Sequence, residues 1–304
     1  MKYPLFILAA AGLGLGLGGN AAAEMMQTAK MSSMKSMAGK SMAMSTDEMS
    51  AMSMSVAATA GKKGKLSVLD TIAYNIEHKG LSPDDAFVLA LQNPQRPMAE
   101  RLKDLDRKPL QVLEFAGIKP GMRVLNLLSY YGYYAEVLAY RVGKAGQVLA
   151  HNTPVYASTT KNIKQRLETH PLENVVPYAA KLADIELEQT LDAIMFMSSY
   201  HDFYGYLQQD KKQRIETLKA LKKALKPGGK LIVSDMVPED KVFNGKMHRI
   251  DKDLVLAEFI EAGYRLVGES EMLRKPTLDD HKTIGYDKAR FYTDRWLMKL
   301  APSS

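Results

Sequence analysis

Apolar and polar positions along this chain follow two periods, and the switches between them mark out its elements. Residues 66–79 place Leu66, Leu69, Ile72, Ala73 and Ile76 at helical spacing, and Gly80 ends the run. Ser82-Pro83-Asp84-Asp85 is a helix start, with Ser82 as N-cap and Pro83 at the first helical position, for a helix reaching Leu91. Pro94 and Pro97 break the chain, and one further helix is expected from Met98 towards Ala116. A buried strand over 124–128 then runs through a tight turn into a helix with Val137 and Leu138 on its apolar face. Strands follow at 147–151, 175–178, 191–197, 230–235, 265–269 and 291–300. Helices are expected at 158–169, at 211–225, stopped by Lys226-Pro227-Gly228-Gly229, and at 251–262, capped by Gly263.

Strands alternating with helices of ten to fifteen residues imply an α/β domain, its parallel sheet covered on both faces. In such sheets a ligand lies beyond the carboxyl ends of the strands, against the strand–turn–helix units. The segment Val124-Leu125-Asn126-Leu127-Leu128-Ser129-Tyr130-Tyr131-Gly132-Tyr133 is such a unit. It resembles the first motif of class I S-adenosylmethionine-dependent methyltransferases, roughly V-L-D-x-G-x-G-x-G-Y. Gly132 matches the third glycine and Tyr133 the aromatic after it. Asn126 stands in place of the acidic residue, Leu128 of the first glycine and Tyr130 of the second. Ala224-Leu-Lys-Pro-Gly-Gly-Lys-Leu-Ile-Val233 is similar to the turn that leads into the fifth strand of that family. The resemblance spans 94–300. It implies a Rossmann-like methyltransferase fold: a mostly parallel seven-stranded sheet closed by a C-terminal antiparallel hairpin, with an N-terminal helical extension over 66–117.

More narrowly, the chain resembles a group of exported bacterial proteins known as predicted methyltransferases. That likeness rests on Arg96-Pro97, Arg107-Lys108-Pro109, Tyr200-His201-Asp202, Met247-His248-Arg249-Ile250-Asp251 and Leu273-Arg274-Lys275-Pro276. By resemblance the cofactor is S-adenosylmethionine, and the residues at its place are Asn126, Ser129, Tyr130, Gly132, Tyr133 and Asn152. Asn152, at the end of the second strand, stands where the family has an acidic residue for the ribose hydroxyls.

His201, beside Asp202 after the fourth strand, is the expected general base, since imidazole titrates near neutrality and a carboxylate orients or charges it. His248 is expected to approach it across the cleft. The set has metal-ligand chemistry, yet no metal is assigned to it. A second reading stands beside this one: Asp202 caps a helix or meets Arg249, and His248-Arg249 fastens its loop through Asp251. Tyr130, Tyr131, Tyr133 and Tyr134 form an aromatic rim for a flat ligand, or pack on the N-terminal helices.

Composition changes the picture mainly at the N-terminus. Lys2, an apolar run over 4–17 and Ala21-Ala22-Ala23 have the form of a secretory signal peptide cleaved after Ala23. The run is short and glycine-rich for a membrane span, so no stable membrane anchor is expected after cleavage. The expected location is the periplasm or the exterior. Zero cysteines excludes both a lipid-bearing cysteine and disulfides. Residues 24–65 are almost wholly Met, Ser, Ala, Lys and Gly, an arm expected to be disordered. Its Met31, Met34, Met37, Met42, Met44, Met49, Met52 and Met54 are clustered thioethers, suited to Cu(I) or serving as low-complexity filler. The net charge of +7 is spread over helix faces such as Lys222, Lys223 and Lys226. No basic block interleaved with aromatics is present, which sets nucleic acid aside. The expected partner is a small molecule. Three functions stand open: an exported methyltransferase-like enzyme, a non-catalytic ligand- or copper-binding protein on the same scaffold, and a hydrolase or lyase using the His/Asp set on an extracellular substrate.

Overall fold

The computed structural model describes residues 80–284 and 291–303, together with Val68, Leu69 and Ile72. The expected signal peptide, the methionine-rich arm and most of the helix at 66–79 lie outside the described residues. Among the described residues no helix is long and apolar enough to cross a membrane.

Among the described residues from 80 onward, α1 (Pro83–Leu91), α2 (Met98–Arg107) and α3 (Pro109–Ala116) precede the sheet. The Ser82 side chain accepts from the Asp85 amide, as its N-cap position predicts. The single helix expected from Met98 to Ala116 is in fact two. Lys108 has φ 45°, in the left-handed region, because Pro109 disfavours a helical residue before it. That bend lets the Lys108 ammonium donate to the Met272 carbonyl at 2.6 Å.

Then come β1 (Arg123–Asn126), α4 (Tyr133–Val142), β2 (Gln147–Asn152), α5 (Ala157–Thr169), β3 (Val175–Ala179) and β4 (Leu191–Met197). The short α6 (His201–Tyr204) precedes α7 (Lys211–Ala224) and β5 (Leu225–Met236). A two-stranded ribbon, β6 (Phe243–Asn244) with β7 (Arg249–Ile250), leads to α8 (Lys252–Glu261). The chain ends in β8 (Tyr264–Glu269) and β9 (Arg295–Pro302).

The seven-stranded sheet has the order β3-β2-β1-β4-β5-β9-β8. β1 to β5 pair in parallel, and β9 runs antiparallel to both β5 and β8. This is the Rossmann-like methyltransferase fold, with the expected hairpin at one edge. The order reverses between β1 and β4, so the crevice at their carboxyl ends is the switch point where such sheets take ligands.

Alternate residues of each strand feed two apolar layers. Val124, Met195, Ile232 and Leu297 face α1, α3 and α4 through Phe87, Leu113, Val137 and Leu138. Leu125, Ile194, Phe196 and Val233 face α7 and α8 through Leu218, Leu221, Val255 and Phe259. Both layers are fully enclosed, which is why the strands read as near-continuous apolar runs.

Two boundaries differ from the sequence pattern. β5 begins at Leu225, paired with Leu191, so the Pro-Gly-Gly turn lies inside the strand at a register shift. β9 begins four residues later than the apolar run at 291, at Arg295.

Candidate functional site

A cavity of about 430 Å³ opens at the carboxyl ends of β1, β4 and β5. Its walls are the turn after β1, the start of α4, the start of α6, and Arg107, Arg295 and His248. Four of the six residues assigned to the cofactor line it, Asn126, Ser129, Tyr130 and Tyr133, whereas Gly132 and Asn152 do not.

The turn after β1 holds non-glycine residues in an unusual backbone conformation. Leu128, Tyr130 and Gly132 all have positive φ, at 48°, 51° and 86°. A non-glycine residue in that region costs roughly 1–2 kcal/mol. Hydrogen bonds to the next strand offset the cost. The Ser129 amide donates to the His151 carbonyl at 2.7 Å, and the Tyr130 amide donates to Asn152 Oδ1 at 2.9 Å. Asn152 Nδ2 donates back to the Tyr130 carbonyl at 3.1 Å. Asn152 therefore grips the turn with both ends of its amide. The ribose contact that its position implied is a contact with Tyr130 in this structure.

His151 completes that support. Its Nδ1 faces the Leu128 amide at 3.5 Å and its Nε2 faces the Ala180 carbonyl at 3.0 Å, the pattern of a neutral ring donating from Nε2. Burial pushes its pKa down to about 4.

Other polar groups of the turn are left over. Asn126 Oδ1 and Ser129 Oγ are buried and have no hydrogen-bond partner. Gly132 caps α4 without any side-chain cap hydrogen bond, so the helix N-terminus presents its amides to an anion. These are features that an amino-acid headgroup, with one ammonium and one carboxylate, fits.

Tyr133 is committed elsewhere. Its hydroxyl donates to Asp104 at 2.7 Å, and its ring lies 4.4 Å from the Arg107 guanidinium. Tyr134 is buried with it, edge-on at 5.0 Å. Tyr131 points outward, 63% exposed. The rim of four tyrosines thus divides: Tyr133 and Tyr134 pack, and Tyr130 reaches across the cavity, its hydroxyl donating to Asp202.

The opposite wall holds the candidate base. His201 opens α6, 4% exposed, and its amide donates to Asp235 Oδ2 at 2.9 Å. Its Nδ1 lies 2.9 Å from Asp235 Oδ1. Its Nε2 lies 3.1 Å from His248 Nδ1 and 3.6 Å from Asp202 Oδ1. Burial opposes charge on His201, but the carboxylates of Asp235 and then Asp202 outweigh it and raise its pKa. Burial and the neighbouring His201 lower that of His248.

The three residues expected to share the cleft do share it: His201, Asp202 and His248 converge. The partner that orients His201 is Asp235, which sequence reasoning missed. Its signal was present, as the one charged residue among Leu231-Ile-Val-Ser-Asp-Met236, at the carboxyl end of a buried strand. The expected pairing of Arg249 with Asp202 or Asp251 is corrected. Arg249 is wholly buried and grips Asp279 through two bonds of 2.8 and 2.9 Å. Asp251 instead caps α8 by accepting from the Asp253 and Leu254 amides.

No family model and no curated protein matches the chain. Among solved structures, an S-adenosylmethionine-dependent methyltransferase from Aquifex aeolicus is 20% identical, with a TM-score of 0.50 over 72% of this chain and 98% of that one. A TehB-like S-adenosylmethionine-dependent methyltransferase from Corynebacterium glutamicum is 14% identical, with a TM-score of 0.43 over 63% and 85%. The glycopeptide N-methyltransferase MtfA, in complex with S-adenosylmethionine, is 13% identical, with a TM-score of 0.46 over 64% and 87%. At these identities the likeness is one of fold, and the Aquifex structure carries it.

Proposed function

We propose that this protein is an S-adenosylmethionine-dependent, methyltransferase-like enzyme acting on a small molecule, and that it works outside the cytoplasm. The observation that carries the reading is the pair of buried, partnerless oxygens of Asn126 and Ser129, set beside an uncapped helix N-terminus. Asn126 and Ser129 would accept from the cofactor's ammonium, and the first turn of α4 would face its carboxylate. When bound, the cofactor supplies an electrophilic methyl group. The chain's own part is to handle the proton. Asp235 holds His201 by Nδ1, leaving Nε2 to accept a proton from a hydroxyl or amine in the cavity, and the same carboxylate stabilises the imidazolium that forms. The far wall carries charges of both signs, Arg107 and Glu100 among them, with an Arg295–Asp106 ion pair of 2.7 Å.

Thermal melting with S-adenosylmethionine and S-adenosylhomocysteine at millimolar concentration tests this. A ligand at a hundred times its dissociation constant adds about 2.7 kcal/mol, and a rise in Tm with either is the expected result. No shift with either overturns the reading.

A second reading, a non-catalytic ligand-binding protein, is favoured by two contacts. Asn152 is engaged by the Tyr130 backbone, and the Tyr130 hydroxyl by Asp202. Those contacts engage the amide that the resemblance assigns to the ribose hydroxyls. Under this reading the methionine-rich arm captures Cu(I), and deleting residues 24–60 abolishes Cu(I) retention against a competing chelator. Export is supported by the N-terminal pattern. N-terminal sequencing of the mature protein checks it, with Glu24 as the expected first residue.

A further inference from the structure

We propose that His201, Asp202 and His248 bind one divalent first-row transition metal, of the zinc and iron group, at the inner end of the cavity. One ligand atom from each lies within 4.8 Å of the others. His201 Nε2 and His248 Nδ1 are 3.1 Å apart, and Asp202 Oδ1 is 3.6 Å from His201 Nε2. Two nitrogens each about 2.0–2.1 Å from one ion, at angles between 90° and tetrahedral, stand about 2.9–3.4 Å apart. The two imidazoles are therefore already at ligand separation. The Asp202 carboxylate, with Oδ1 3.6 Å from His201 Nε2, is the third donor of the set.

The surroundings are those of a metal centre. His201 is held at Nδ1 by the buried Asp235, which fixes the ring with Nε2 facing inward. Asp202 is held at its other oxygen by the Tyr130 hydroxyl. His248 sits at φ 54°, a backbone conformation that a non-glycine residue adopts at a cost. Arg249, anchored to Asp279 and to the Val237 and Thr283 carbonyls, keeps the adjoining residue fixed. Two imidazoles and one carboxylate are a borderline donor set, which selects zinc or iron over the all-oxygen sites of magnesium and calcium.

Three protein ligands leave at least one position for water or a substrate oxygen. The same three residues also border a second cavity, of about 480 Å³, on the side of Phe243. The centre is thus reachable from both. The inference rests on the reading that a small ligand occupies the first cavity. With an ion bound, His201 Nε2 would be a ligand and no longer the base, and the cation would lower the pKa of a coordinated water or hydroxyl, whose proton leaves to solvent.

The test uses the untagged full chain with Co²⁺ as a spectroscopic probe and Zn²⁺ as competitor. Visible ligand-field bands that saturate at one equivalent, and that Zn²⁺ abolishes, are the expected result. His248→Ala, at a half-buried loop position, should weaken Co²⁺ binding by more than the roughly 10–100-fold typical of losing an outer-shell partner. Asp235→Asn should fall within that range. If His201→Ala fails to fold, His248→Ala and Asp202→Asn still decide the matter. Absence of the bands, or bands unchanged in His248→Ala, overturns the site and in the second case puts the ion elsewhere on the chain. Melting with S-adenosylhomocysteine, run in parallel, separates the two claims. A Tm shift without cobalt bands removes only the metal site, and bands without a shift remove only the cofactor reading.

Discussion

The turn after β1 and the loops leaving β4 and β5 face each other across one cavity, yet they use their polar groups in opposite ways. On the turn, amides and the Tyr130 carbonyl are tied back to β2, through Asn152 and the His151 carbonyl. Those bonds hold two non-glycine residues at positive φ. On the other side, Asp235 and the Tyr130 hydroxyl hold only one end of His201 and Asp202, and the opposite ends converge with His248. One wall is tied to the neighbouring strand, and the other brings two imidazoles and a carboxylate together. The lesson is that a tight strand–turn–helix can hold non-glycine residues at positive φ, provided neighbouring side chains supply the bonds. The buried oxygens left without a partner are those the turn does not need, Asn126 Oδ1 and Ser129 Oγ.

The difference can be broken from the histidine side first. Arg249→Ala leaves Asp279 buried without its guanidinium, and losing one partner of a buried pair costs about 3–5 kcal/mol. A fall of that size in urea-unfolding free energy is expected, with loss of the Co²⁺ bands because the β7 loop no longer holds His248. An unchanged free energy would show that the loop is not fastened in this way.

The turn side answers to pH. Glu136 lies one turn into α4 and meets Arg166, Tyr140 and His170. Arg166 also donates to the Tyr131 carbonyl at 3.1 Å, so the network supports the turn. Burial works to raise the Glu136 pKa, but His170, Arg166 and Tyr140 overcome it and bring it from 4.5 down to about 2. A carboxylate depressed in the folded state contributes stability that is present above its unfolded pKa and lost as pH falls through the folded one. The loss falls between about pH 4.5 and 2 and amounts to about 3 kcal/mol. Glu136→Gln should flatten that part of the pH–stability curve, read from urea midpoints. A curve of unchanged slope would remove Glu136 from the account.

Smaller effects sharpen the comparison. Tyr130→Phe removes one hydroxyl bonded to a carboxylate and should cost about 1.5–3 kcal/mol. Gly132→Ala should cost about 1–2 kcal/mol, because φ is 86° there. The added methyl would meet Arg166 Cδ at 3.4 Å, an approach that alone is tolerable. A neutral Gly132→Ala would mean that the turn relaxes.

Much of this was legible in the amino-acid pattern, for physical reasons. Buried parallel strands announce themselves as apolar runs, and Ser82-Pro83 announces a helix start. His201, Asp202 and His248 were legible because strand ends in a parallel sheet converge at the switch point. Asp235 was overlooked because a charge at the end of an apolar strand looks like a boundary until the sheet register puts it beside β4. The grip of Asn152 on Tyr130 and of Arg249 on Asp279 depends on backbone placement across 22 and 30 positions of sequence. Local periodicity carries no information about such pairs.

The central claim is that the cavity takes the amino-acid end of S-adenosylmethionine at Asn126 and Ser129. Calorimetric titration of S-adenosylhomocysteine into the wild-type chain and into Asn126→Leu tests it most directly. The account predicts saturable binding at one site in the wild type and at least about tenfold weaker binding in Asn126→Leu, the loss of roughly one hydrogen bond to a charged group. No binding to the wild type, or equal affinity in both proteins, would contradict it.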